Sequence, residues 1–327
     1  MNILITGGAG FLGQQLLRAL LDRGTLDAGQ GPKTIERIVC FDQTEGAITD
    51  PRVRNVAGSI ADPSAVAALV DAGTAVVVHL AAVVSGTAEA DFDLGMRVNL
   101  DGTRNLLEAC RALGHRPRVL FSSSIAVFGG DLPAVVTDAT TPTPQGSYGV
   151  QKLIGELLVQ DYTRKGFIDG RAVRVPTVVV RPGRPNGAAS GFASGIIREP
   201  LAGQPCLLPV DLATEMWMAS PRAVVGMFLR ALELPESAWG WNRVLNLPGL
   251  VASMHDALAA LREVGGEAAA ALVKRQPDPA VIALVKTWAA RFETRRAREM
   301  GFTADADVMA IVRAYVEDNP AAVTIRR

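Results

Sequence analysis

The chain has 327 residues, 49% of them hydrophobic, with 33 basic side chains balanced by 33 acidic ones. That length suits one large α/β unit or two closely joined lobes with a sizeable core, and the even charge argues against a nucleic-acid surface. Cys40, Cys110 and Cys206 are too few and too scattered for a disulfide framework or a metal site, and the longest apolar run, 75–84, is too short to span a bilayer.

No basic leader or cleavage signal follows Met1, so a reducing cytoplasm is the simplest compartment expected. Residues 2–6 (Asn-Ile-Leu-Ile-Thr) predict a buried strand. The turn Gly7-Gly8-Ala9-Gly10-Phe11-Leu12-Gly13 follows at once, and 14–23 carries leucines at helical spacing. Strand, glycine turn and helix together predict a phosphate cradle. Small residues let backbone N–H groups and the positive helix end approach a pyrophosphate. Gly7, Gly10 and Gly13, with Phe11 and Leu12 between the last two, are its candidate residues.

Residues 25–34 read as a surface insertion, and 35–41 as the second strand, ending at Asp42. An acid there hydrogen-bonds ribose hydroxyls and repels a 2′-phosphate, which favours NAD over NADP; capping its own loop is the alternative role. Residues 53–56 form a third strand. Asp62 is placed to meet an adenine amino group, to cap a helix starting at Pro63, or both. Residues 75–80 are continuously apolar, as a buried parallel strand should be. They lead to Ala81 at the strand's carboxyl end, where such sheets take ligands. His79, within the strand, reads as a satisfied core histidine.

Asn99 lies near the start of a helix running from Arg97 to Leu113, and a buried amide there needs partners. The fifth strand, 118–122, extends into Ser123 and Ser124. A loop rich in Pro and Thr then leads to Ser147-Tyr148-Gly149-Val150-Gln151-Lys152. A tyrosine and a lysine four residues apart share one helix face. Free tyrosine, with a pKa of roughly 10, is a poor base at neutral pH, and a fixed positive charge nearby lowers that value. Alone, the pair also suits a solvated surface.

The sixth strand, 172–175, precedes a loop at 176–192 with the prolines, glycines and arginines of a shaped pocket. Thr177 and Asn186 suit hydroxyls, and Arg181 or Arg184 suits a carboxylate, with solvent exposure as the alternative for either arginine. Residues 204–218 predict a strand pair, 220–224 begin a helix, 243–247 a strand, and from 251 the chain is mostly amphipathic helix.

In this order, Thr6-Gly7-Gly8-Ala9-Gly10-Phe11-Leu12-Gly13, His79-Leu80-Ala81-Ala82, Asn99, the run from Ser122 to Gly129 and Tyr148-x-x-x-Lys152 resemble the extended short-chain dehydrogenase/reductase family, which includes nucleotide-sugar epimerases and dehydratases. Phe128 departs from the tyrosine usual there. The resemblance implies a Rossmann-like, doubly wound parallel sheet with a smaller, mainly helical C-terminal substrate lobe. The expected bounds are 1–176 plus about 220–248 for an NAD-binding domain, and about 177–219 with 249–327 for the lobe. It implies that Ser124 holds the reacting oxygen and Tyr148 moves its proton. Lys152 would lower the tyrosine pKa and bind the nicotinamide ribose, and Asn99 would support the lysine through water. Gly7, Gly10, Gly13, Asp42 and Asp62 would hold NAD.

The 175–192 loop and Arg295-Arg296-Ala297-Arg298-Glu299-Met300-Gly301-Phe302 are similar to those of the D-erythronate dehydrogenases within the family. That similarity implies NAD-dependent oxidation of a small sugar acid to its 2-oxo acid. A nucleotide-sugar epimerase or dehydratase with captive NAD is the alternative, and a non-catalytic nucleotide-sensing protein a third. The family also implies a homodimer through the helices of Asn99 and Tyr148, with Gln151, Glu156 and Arg104 among the leucines there. A membrane partner, a nucleic-acid partner and a metal are not expected.

Overall fold

The computed structural model describes residues 1–29, 31–183 and 188–325. Strand β1 (Asn2–Thr6) enters helix α1 (Phe11–Arg23), which ends at Gly24 in the left-handed conformation. The 25–34 insertion does lie at the surface, and within it β2 (Thr25–Asp27) and β3 (Pro32–Thr34) pair antiparallel. There follow β4 (Arg37–Asp42), β5 (Val53–Ala57), α2 (Pro63–Ala67) and β6 (Thr74–His79). Asp62 caps α2, accepting from the backbone N–H groups of Ser64 and Ala65, with Pro63 as the first helical residue.

The helix expected from Arg97 starts earlier and in pieces. Helices α3 (Ser85–Ala90) and α4 (Phe92–Gly95) run into a π-helical turn, Met96–Asp101, and then α5 (Gly102–Ala112). Strand β7 (Arg118–Ser124), helix α6 (Ser147–Arg164) and β8 (Asp169–Val175) come next. The chain continues through β9 (Thr177–Val178), α7 (Gly191–Leu201), β10 (Cys206–Leu208), β11 (Glu215–Ala219), α8 (Pro221–Glu233) and α9 (Glu236–Trp239). It closes with β12 (Val244–Asn246), β13 (Leu250–Ser253), α10 (Met254–Ala270), β14 (Val273–Arg275), α11 (Pro279–Val285), α12 (Arg295–Glu299) and α13 (Val308–Asp318).

Two compact units result. The first comprises 1–127, 146–175 and 225–246. Its seven strands lie in the order β12-β8-β7-β6-β1-β4-β5, all parallel. Winding reverses between β1 and β6, which makes the carboxyl edge of those two strands the crevice of a Rossmann-like sheet. Leu4, Val39, Val77 and Val119 of the sheet pack with Leu106 and Leu107 of α5 and Val159 of α6, all buried.

The second unit comprises 128–145, 176–224 and 247–327. Residues 128–145, which the sequence placed with the first domain, group here because later chain captures them. Val136 donates its N–H to the Arg291 carbonyl and accepts from the Glu293 N–H, and Phe128 meets Phe292 edge-on. The expected 204–218 strand pair does not form. Strand β10 lies parallel to β14, while β11 sits between β9 and β13. Chain from 250–275 supplies each of them a partner: β14 pairs the whole of β10, and β13 pairs four residues of β11. Helices α7, α10 and α13 close the core through Ile196, Ile197, Leu201, Leu261 and Ile311. Among the described residues no helix is long and apolar enough to cross a membrane.

Candidate active site

The glycine turn follows β1 at the crevice. Gly7 has φ +70, and a Cβ on it would lie 2.6 Å from the Ala81 backbone nitrogen, so the end of β6 presses directly on the turn. A Cβ on Gly13 would lie 2.3 Å from the Gly7 carbonyl oxygen, which keeps α1 against the turn. No side chain caps α1 at Gly10, and its first turn holds no acid. Its leading N–H groups and positive end are therefore available to an anion. Phe11 and Leu12, half-buried, begin the helix. These features fit the pyrophosphate of a dinucleotide.

Asp42 ends β4 beside this turn. One carboxylate oxygen accepts from the Ala9 N–H at 3.1 Å and the other from the Gln43 N–H at 2.7 Å. It thus braces the glycine turn and its own loop, and each oxygen keeps lone pairs for a ribose hydroxyl. Asp62 caps α2, and hydrogen bonds from Ser64 and Ala65 hold its carboxyl below the usual carboxylate range.

At the next strand ends, Ser123 points inward and donates to Glu156 at 2.5 Å. Ser124 is half-buried, and its hydroxyl oxygen accepts from the Ala126 N–H at 3.1 Å, which leaves the hydroxyl proton to give. Lys152 is buried on α6. Its ammonium donates to the Ser122 carbonyl at 2.8 Å and lies 4.8 Å from the Phe121 ring centre and 5.6 Å from that of Tyr148. Burial pushes this lysine down to about 8, although Glu156, one turn further along α6, pulls the other way. The helix spacing therefore does bring Tyr148 and Lys152 together, and the lysine joins them to the strand that ends in Ser124.

Asn99 sits in the π-helical turn with its side chain turned to Val83 and Gln151. Its backbone carbonyl accepts from the Thr103 hydroxyl at 2.6 Å. Since that proton is used, His79 Nε2–H donates to Thr103 at 2.9 Å and Nδ1 accepts from Thr6 at 2.6 Å. His79 is a satisfied core residue. Burial, and then the Lys152 charge, depress it to about 3, so the imidazole is neutral.

In the second unit, Thr177 lies in β9, in register with Met218. The Arg181 guanidinium folds onto its own loop, donating to the Val178 carbonyl at 3.1 Å and to Ser190 at 2.8 Å. Arg184 and Asn186 lie outside the described residues.

Two polar groups on α6 that the sequence placed at a homodimer face are buried instead. Gln151 and Glu156, each 1% exposed, face inward and do not lie on an outer surface for a second copy. Glu156 receives a two-pronged ion pair from Arg174, at 2.9 and 2.7 Å. The signal for Glu156 was its position four residues after Lys152, on the same helix face.

Comparison with known proteins follows this geometry. Residues 3–245 match the NAD dependent epimerase/dehydratase family. The chain is 54% identical over 319 residues to a D-erythronate dehydrogenase of Cupriavidus necator, covering 97% of this chain and 98% of that one. It is 40% identical to a D-erythronate dehydrogenase of Haemophilus influenzae, again over 319 residues, covering 97% and 99%. A crystal structure described as a nucleoside-diphosphate-sugar epimerase from Agrobacterium tumefaciens superposes with TM-score 0.92 at 43% identity, covering 98% of this chain and 95% of that one.

Proposed function

This chain belongs to the NAD dependent epimerase/dehydratase family, and from that premise we propose that it oxidises D-erythronate to 2-dehydro-D-erythronate. It is an NAD-dependent oxidoreductase. The single observation that carries the finer reading is its similarity, along nearly its whole length, to two D-erythronate dehydrogenases. The Tyr148, Lys152 and Ser124 arrangement supports it.

NAD, when bound, supplies the hydride acceptor for the carbon being oxidised. Gly7, Gly10, Gly13, Phe11 and Leu12 hold its pyrophosphate, Asp42 its adenosine ribose, Asp62 its adenine edge, and Ala81 lines the crevice. Lys152 holds the nicotinamide ribose; support of that lysine by Asn99 would pass through the Asn99 backbone carbonyl, because its side chain is committed to Val83 and Gln151. Tyr148, as phenolate, takes the proton of the C2 hydroxyl, while Ser124 donates its free proton to the same oxygen and orients it. The ammonium of Lys152 has a neutral carbonyl as its hydrogen-bond partner, so its charge stays unneutralised beside the Tyr148 ring and stabilises the phenolate. Thr177, Arg181, Arg184 and Asn186 serve the sugar acid, its carboxylate falling to an arginine.

A homodimer through the outer face of α6 completes the proposal. Val150 and Leu157, two turns apart on one side of that helix, are exposed. Sedimentation as a monomer at micromolar concentration would reject it.

The test is formation of reduced nicotinamide, followed by absorbance, with purified protein, NAD and a panel of four-carbon sugar acids. NADP and a nucleotide sugar run in parallel. Signal with D-erythronate and NAD is the expected result, and Tyr148→Phe should reduce it by about 10²–10⁴-fold. The described identity of the Agrobacterium structure favours a second reading, a nucleotide-sugar epimerase or dehydratase with captive NAD. No net reduction with any acid, together with NAD released on denaturation, would move the assignment there.

A further inference from the structure

Gln151 stands between Tyr148 and Lys152 in sequence, yet it is 1% exposed. Its Oε1 accepts from Asn99 Nδ2 at 2.7 Å, and its buried Nε2 has no hydrogen-bond partner among the described residues. A Cβ on Gly95 would come within 2.6 Å of that Nε2, so the amide is seated where α4 gives way to the π-helical turn. A methionine of similar volume would fill this place without an orphaned donor, and burying an unpaired amide N–H carries a cost.

The compensation lies in what the other end of the amide holds. Asn99 makes a pair of hydrogen bonds with one residue: its Oδ1 accepts from the Val83 N–H at 2.8 Å, and its Nδ2 donates to the Val83 carbonyl at 3.1 Å. Val83 is two residues beyond Ala81, at the edge that presses on the Gly7 turn. An acceptor at Gln151 fixes which way the Asn99 amide faces, because a flipped amide would set its donor against the Val83 N–H and its oxygen against Gln151 Oε1. The backbone of Asn99 is gripped separately, through Thr103 and His79.

We propose that Gln151 is a positioning residue: through Asn99 it locks the Ala81–Val83 segment just beyond β6 against the helix that carries Tyr148 and Lys152. It touches no reacting atom. It spends a buried donor to fix the distance between the cofactor edge and the proton-transferring pair. The kinetic part of this claim rests on the dehydrogenase reading above; the structural part does not.

Gln151→Met and Gln151→Glu test it. Met keeps the volume and removes both polar ends, while Glu keeps an acceptor for Asn99. Hydrogen exchange of the Val83 amide, read residue by residue, should quicken about tenfold or more in the Met variant, with core amides of β1 and β7 unchanged and Tm equal or higher. NADH formation on a sugar acid should fall about 10–100-fold in kcat, with KM for the acid unchanged. The Glu variant should restore Val83 protection. Unchanged exchange at Val83 in the Met variant, wild-type kcat in that variant, or a loss spread evenly over Tm and every core amide would each overturn the proposal. If the wild-type protein turns over no sugar acid while Val83 loosens as expected, the substrate reading fails and the positioning role stands.

Discussion

The two edges of the parallel sheet use buried charge differently. At the carboxyl edge the Lys152 ammonium rests on one backbone carbonyl and two ring faces. At the amino edge three guanidinium groups, those of Arg118, Arg171 and Arg243, converge on the Asp169 carboxylate, at 2.8, 2.9 and 3.4 Å. Arg118 and Arg171 also donate to the carbonyls of Ala231 and Leu232 in the last turn of α8, where the helix dipole is negative. Arginine presents a rigid fork of donors that such a cluster can occupy on several sides. It ties β7, β8 and the segment before β12 to a helix end, a structural use of charge. Lysine has a compact ammonium whose proton is loosened by burial. With no carboxylate in hydrogen-bond contact, Lys152 keeps a field that can act on its neighbour. Under the proposed mechanism, the difference separates charge that holds the fold from charge that serves the chemistry.

Four experiments sharpen or break this contrast. The largest effect is expected for Lys152→Met, which should lower turnover by about 10²–10⁴-fold while leaving Tm unchanged or raised, since a desolvated ammonium disappears. A marked fall in Tm would mean that the lysine is structural. Asp169→Asn should do the reverse. Three arginines would lose their carboxylate, at a cost of about 3–5 kcal/mol in urea unfolding, with kcat of the folded protein retained. Stability unchanged within error would remove the cluster from the account of the fold.

Acid comes next. His79 has its folded pKa depressed from 6.5 to about 3, so its neutral form contributes stability that is fully present above about 6.5. That contribution is lost as pH falls through this window, because the unfolded chain takes up the proton first. Thermal melts between pH 7 and 3 should therefore fall more steeply for the native protein than for His79→Gln, and parallel curves would contradict the neutral relay from Thr6 to Thr103. The smallest effect belongs to Asp62→Ala, which loses the cap on α2 and should lower Tm slightly. Titrating NAD against the same variant separates the cap from a cofactor contact: unchanged affinity would leave the cap as its whole role.

Much of the fold was readable because its signals are local. Runs rich in β-branched residues at 2–6 and 75–80, glycines at 7, 10 and 13, and a tyrosine and lysine one helical turn apart each report a conformation set by their immediate neighbours. Pairings were less readable. Strands β10 and β11 look like partners along the chain, but each takes its neighbour from residues 250–275. Likewise, 128–145 is claimed by Arg291, Phe292 and Glu293. Those choices depend on which backbone edges remain open once distant segments arrive.

Helix α6 marks the boundary between the two kinds of information. Helical periodicity alone puts Tyr148 and Lys152 on one face, because 3.6 residues complete a turn whatever surrounds the helix. Which face turns inward depends on the packing around it. Apolar Val150 and Leu157 lie outside, while Gln151 and Glu156 are buried against Asn99, Ser123 and Arg174. A polar side chain is buried when partners of the right geometry wait for it, and here those partners come from segments between 18 and 52 residues away.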